Sequence, residues 1–182
     1  SKFPFLVGNI GGANCSRLGS STYGQCSMSR GAIDFNTKYY GRGNEASFAA
    51  SFSNCISTQF HPQGVMSKGA AYAVASHELG HAIEGRLEKL MKAAGVDTTE
   101  KRKKRYFISG RVKDKVLSNL SLVDDRSVIK AELSEYAAMD SAEFFAEAVS
   151  EYLCSRSPRP VAAEVGKILE RFLKNDFSDL GI

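Results

Sequence analysis

Nowhere in its 182 residues does the chain string together the roughly eighteen apolar residues that a membrane-spanning helix needs. A soluble protein without a membrane partner is therefore expected. C-x-x-C is missing too: the four cysteines stand at Cys15, Cys26, Cys55 and Cys154, outside the common thiolate metal spacings. Cys15 and Cys26 could close a short disulfide loop in an extracellular protein, whereas Cys55 and Cys154 sit in apolar, helix-like surroundings and read as buried thiols. There are no internal repeats and no linker. With 43% hydrophobic residues, the chain is expected to form one domain over 1–182 with a real core. Its first residues, Ser1-Lys2-Phe3-Pro4, resemble neither a signal peptide nor a translation start. They read as those of a processed form or of a piece of something longer, so localisation stays open.

Acidic residues are scarce in one place. From Lys101 to Lys115 eight basic residues face the single acid Asp114, so this segment carries +7 while the rest of the chain, with the total at +4, sums to −3. No aromatic interleaving or nucleic-acid module accompanies it, so it reads as a solvated face and no nucleic-acid partner is expected.

Histidine is scarcer still, with three in the chain: His61, His77 and His81. Two of them fall in Ser76-His77-Glu78-Leu79-Gly80-His81, inside a run from Lys68 to Ala94 that predicts one long helix. Ser67 stands at its N-cap and Gly95 just past its end. Residues four apart share a helix face, so His77 and His81 can turn two imidazoles on one cation while Glu78 faces the adjoining side. H-E-x-x-H in this setting implies two zinc ligands and a general base, Glu78. His61, in the turn His61-Pro62-Gln63-Gly64, reads as a loop residue near enough in sequence for a substrate contact.

Around this helix the pattern predicts an α+β chain. Residues 1–22 promise one brief strand or helix and then loop. A hairpin follows, Tyr23–Ser29 and Ala32–Tyr40 about a turn near Arg30-Gly31. Its second strand alternates Ile33, Phe35, Thr37 and Tyr39 with polar residues. The sheet is expected to be small and antiparallel, with 32–39 as an edge that could pair with an extended substrate. Helices are predicted over 45–60, 98–107, 109–120, 124–135 and 140–153. Pro158 and Pro160 break the chain before an amphipathic closing helix carrying Val161, Val165, Ile168, Leu169, Phe172 and Leu173.

Two histidines need a third protein ligand. The metzincin spacing is excluded, because Glu84 and Leu87 occupy the positions that would hold Gly and His. A downstream carboxylate is the other common solution. Glu143 and Glu147 on the 140–153 helix are candidates, as are Glu135 and Glu84. Asp140-Ser-Ala-Glu143 also has capping-box spacing, in which Glu143 would merely reach back to its own helix start.

Tyr136 followed by Glu143-Phe-Phe-Ala-Glu147-Ala148, after a helical H-E-x-G-H-A, resembles the lethal-factor-like zinc metallopeptidases, the gluzincin group that includes the catalytic domain of anthrax lethal factor. The strand Gly31–Tyr40 and the Phe60-His-Pro turn look especially like members associated with bacteriophage head morphogenesis; others belong to bacterial toxins. The resemblance covers about residues 31–155. It implies a zincin-like fold, Zn²⁺ on His77, His81 and Glu143, Glu78 as general base, Tyr136 facing the metal, and Glu147 behind the ligands orienting a histidine. The expected activity is zinc-dependent hydrolysis of peptide bonds in a peptide or protein substrate. The alternative is an inactive or structural zinc-binding domain of a phage or toxin protein.

Overall fold

A computed structural model describes residues 11–98, 107–174 and 176–180. It is α+β, as the sequence pattern predicts, but its sheet is mixed rather than antiparallel. β1 (Ala13–Ser16), β2 (Gly24–Ser27) and β3 (Ala32–Asn36) lie in the order β1-β3-β2. The β2–β3 hairpin is antiparallel, pairing Gly24 with Phe35 and Ser27 with Ala32. β1 joins the other side of β3 in parallel, Ala13 against Ile33. The β1 residues Ala-Asn-Cys-Ser carry no alternation that could announce this pairing. β3 is therefore central and cannot be the edge expected over 32–39; among the described strands the edges are β1 and β2. Cys15 and Cys26 lie on these two edges with β3 between them, so their Cα atoms are roughly 10 Å apart, beyond disulfide reach. Both thiols are free, and Cys55 is half-buried whereas Cys154 is buried.

β3 stops at Asn36, short of the expected Tyr40. The Asn36 side chain donates to the carbonyls of Gly19 and Thr22 at 2.9 and 2.7 Å and accepts the Lys38 N–H at 3.0 Å. That cap starts a single helical turn, α1 (Thr37–Tyr40). Apolar alternation continues past the end of the strand because Tyr39 and Tyr40 still pack inward. They join Tyr23, Phe48 and Phe52 in an aromatic cluster between the sheet and α2 (Glu45–Ser57).

The long helix begins later than its propensity suggests. Gln63–Lys68 form a 3-10 turn, and Gly69, at φ 90° and ψ 158°, separates it from α3 (Ala70–Ala93). A side chain at Gly69 would be strained in that conformation. Ser67 is not the N-cap: its hydroxyl donates to the Cys154 carbonyl instead. The other end follows expectation. Gly95 has φ +78°, its N–H bonds the Lys92 carbonyl, and the Val96 N–H bonds that of Met91, a Schellman closure.

The helix expected over 98–107 falls largely on residues outside those described, as does the basic run Lys101–Arg105. α4 (Phe107–Asn119) and α5 (Arg126–Glu132, capped by Asp125) follow, then a 3-10 turn at Tyr136–Ala138. α5 ends three residues before the expected Glu135, at Leu133, whose φ of −139° and ψ of −80° leave the helix. α6 (Ser141–Cys154) and the amphipathic α7 (Pro160–Phe172) complete the main core. Ile83 and Leu87 from α3 meet Val112, Phe144, Phe145, Val149, Ile168 and Leu169, all inaccessible to solvent.

α3 and α6 are in tight contact. A Cβ on Gly80 would lie 2.7 Å from the Ala146 Cα, so only glycine lets the two backbones approach this closely. His77 and His81 bracket Gly80 in sequence as Glu143 and Glu147 bracket Ala146. The close approach therefore brings two histidines and two carboxylates together. No helix among the described residues is long and apolar enough to cross a membrane.

Candidate metal centre

His77 Nε2, His81 Nε2 and Glu143 Oε2 form a nearly equilateral triangle. The two nitrogens are 3.2 Å apart, and the carboxylate oxygen lies 3.2 Å from the first and 3.4 Å from the second. A tetrahedral cation with bonds of about 2.0–2.1 Å has ligand–ligand edges of about 3.3–3.4 Å, so one face of such a tetrahedron is already laid out. Glu143 Oε2 is buried without a hydrogen bond of ordinary geometry, and so is His81 Nδ1. These residues are the group of described side chains that could hold a metal ion. Burial alone would raise the Glu143 pKa. Hydrogen bonding and charge from His77 and His81 outweigh it and hold the carboxyl well below its usual range. Burial likewise disfavours protonated His77, but Glu143, Glu147 and Glu78 surround the ring and raise its pKa well above the ordinary value. Three carboxylates converging on two imidazoles make a place where positive charge is favoured.

The capping geometry at α6 is half of what its sequence allows. Asp140 accepts the Glu143 N–H at 2.9 Å, but the Glu143 side chain turns to the histidines instead of reaching back. Glu147, one turn on, has its oxygens occupied. They accept His77 Nδ1 at 2.7 Å and the Ser134 hydroxyl at 2.9 Å, and His61 Nδ1 lies 3.2 Å from each. Burial acts against its ionisation, yet the two histidines bring its pKa down to about 2. Accepting from Nδ1 fixes the His77 tautomer and leaves the Nε2 lone pair facing the triangle.

Glu78 sits on the adjoining face, 6% exposed, beneath β2. A Cβ on Gly24 would come within 3.0 Å of its Cγ and 3.2 Å of Oε1, so the strand rests on this side chain. Burial raises the Glu78 pKa; His77 and His81 oppose the rise, Glu143 adds to it, and the Cys26 N–H opposes it. Tyr136 opens the 3-10 turn before α6, its ring 5.7 Å from that of His77. Its hydroxyl is kept protonated by burial, then by the charge of Glu143 and a hydrogen bond to it.

The two remaining candidates go elsewhere. Glu84 is fully buried and accepts the Ser109 N–H at 3.0 Å, while its Oε2 is unpartnered. Glu135 pairs at the surface with Lys130 at 2.7 Å and with Arg126 at 3.6 Å. Two participants had no expected place at the centre: Ser134 and the contact of His61 with Glu147. His61 was visible as the third histidine, in the Phe60-His-Pro turn; nothing in the sequence singles out Ser134.

A cleft of about 770 Å³ opens beside the centre. Tyr23, Phe52, Phe60 and Val65 give it apolar walls, and His77, Glu78 and Tyr136 line it as well. Among the described residues that line it there is no lysine or arginine. Comparison with family models, with curated proteins and with solved structures produced no match.

Proposed function

We propose that the chain is a zinc-dependent endopeptidase of zincin-like construction. The observation that carries this reading is the His77–His81–Glu143 triangle with a buried carboxylate, Glu78, beside it. Two imidazole nitrogens and one carboxylate oxygen at tetrahedral spacing suit zinc, and three protein ligands leave a fourth position for water or substrate. A structural zinc site is usually closed by four protein ligands; the described cluster offers three.

When bound, the metal would polarise the scissile carbonyl and lower the pKa of a coordinated water toward ~7. Glu78 takes a proton from the attacking water and returns it to the leaving amine. Tyr136, protonated, donates its hydroxyl to the oxyanion that develops on the carbonyl. One well-placed donor of this kind contributes about 3–4 kcal/mol in other enzymes. Glu147 holds His77 in the ligating tautomer.

The substrate would be a peptide in extended form. β2 is the sheet edge that lies over Glu78, and backbone pairing along it would bring a peptide bond to the triangle. The apolar cleft would then receive a neighbouring uncharged side chain.

Purified protein is expected to carry about one zinc per chain, and the His77→Ala variant to lose it. Elemental analysis that finds no zinc, even after reconstitution, contradicts the reading.

A further inference from the structure

His61 lies outside the metal-binding triangle, and the mechanism above gives it nothing to do. Its environment is nevertheless specific. The ring stacks on Phe52, with centroids 5.1 Å apart and planes at 20°, and stands edge-on to Tyr136 at 5.5 Å. Its Nδ1 is 3.2 Å from both oxygens of Glu147. The adjoining backbone is tied to the tyrosine turn, with Glu135 N–H donating to the Gln59 carbonyl at 2.9 Å and Tyr136 N–H to that of Phe60 at 3.1 Å. Phe60 packs on Tyr136 at 5.2 Å. The 59–61 segment thus meets Tyr136, which lines the cleft, and Glu147, which stands behind the triangle.

Glu147 is 2% exposed and its carboxylate cannot turn to water. Its donors come from three places: His77 on α3, Ser134 before the tyrosine turn, and His61 on the loop. His77 and Ser134 each hold one oxygen and so set the plane of the carboxylate, but neither bears on the group as a whole. His61, equidistant from both oxygens, instead pins the carboxylate as a whole against displacement and so keeps Oε1 where it accepts His77 Nδ1.

We propose that His61 is a positioning residue of the metal centre, acting through Glu147: its Nδ1–H fixes the Glu147 carboxylate and thereby aims His77 Nε2. The inference rests on the metal-site reading above. It assigns His61 neither to the metal nor to substrate. What matters is a hydrogen-bond donor at the Nδ1 position; the ring is secondary.

Two substitutions separate donor from ring. His61→Phe keeps a flat ring for Phe52 and removes the donor; His61→Asn loses the ring but can place its amide N–H near Nδ1. Zinc affinity would be measured by competition with a chromophoric chelator, and the visible spectrum of the cobalt-loaded protein would report ligand geometry. His61→Phe is expected to weaken zinc roughly tenfold, within the ~10–100-fold span of outer-shell losses, and to alter the cobalt spectrum. His61→Asn should restore most of both. If His61 acts through Glu147, then His61→Phe placed in a Glu147→Ala background should weaken zinc no further.

Wild-type affinity and spectrum in His61→Phe would overturn the inference and leave the metal reading intact. An undiminished tenfold loss in the Glu147→Ala background would overturn it too, because His61 would then act by another route. Failure of the unaltered protein to bind zinc would overturn the metal reading, and this inference with it.

Discussion

Glu143 and Glu147 are one helical turn apart, yet what each carboxylate meets gives it a different role. Glu143 has a buried oxygen aimed between two imidazole nitrogens, while Glu147 has its oxygens filled by side-chain donors. Glu143→Ala is therefore expected to abolish tight zinc binding, and Glu147→Ala to weaken it only ~10–100-fold. Chelator competition checks both; tight zinc retained by Glu143→Ala would move the ligand elsewhere. The sequence exposed the shared face of His77 and His81 because that depends only on helical spacing. It left the choice among four carboxylates open, because the choice depends on how α6 lies against α3. Glu84 illustrates the limit. On paper it flanks His81, but in the fold it is buried against α4 at Ser109, with its pKa raised by burial to about 7 despite help from Ser109. A carboxyl whose pKa is higher folded than unfolded adds stability below its unfolded value near 4.5, and loses it as pH rises through about 7. At about 1.4 kcal/mol per pH unit the loss approaches ~3 kcal/mol. Denaturant unfolding of the metal-free protein at pH 5 and pH 8 should show a loss of stability with rising pH, to which His77 also contributes in the same direction, and Glu84→Gln should remove the Glu84 share of it. Equal pH dependence in both proteins would place the cause in another group.

At the scale of elements, the sequence was informative where structure is local. The 3.6-residue apolar period in α7 and the glycine closure of α3 both appear as read, since each is decided within one segment. The sheet was harder. β1 is held by backbone pairing to a strand reached only after β2, so no local pattern announces it. Apolar alternation overran β3 because the Asn36 cap converts strand into helical turn while Tyr39 stays packed. The central contact between α3 and α6 turns on Gly80, which sits inside the motif yet acts on packing. Gly80→Ala would put a methyl 2.7 Å from the Ala146 Cα and force the helices apart. Overpacking of this kind costs about 1–3 kcal/mol. Because the same shift separates His77 and His81 from Glu143, zinc affinity should fall along with stability. Paired measurements of denaturation midpoint and zinc affinity test this; a stable variant with unchanged affinity would mean that the helix spacing does not set the site.

Across the whole molecule, one helix carries His77, Glu78 and His81, and its neighbours surround them from different sides. α6 supplies Glu143 and Glu147, β2 covers Glu78, and the tyrosine turn brings Tyr136 against His77. On the proposed reading such an arrangement would do more than retain a cation, since a site that only held metal would have no use for a buried carboxylate at Glu78. The sharpest distinction between holding a metal and using one is therefore the Glu78→Gln variant loaded with zinc. New N-termini would be profiled in a complex peptide mixture after incubation with the wild-type protein, with the wild-type protein plus chelator, and with zinc-loaded Glu78→Gln. The account predicts a defined set of cleavages in the first sample, lost in the second and nearly absent from the third although its zinc content is unchanged. The same cleavages at a comparable rate from zinc-loaded Glu78→Gln, or none from the zinc-loaded wild-type protein, would contradict it.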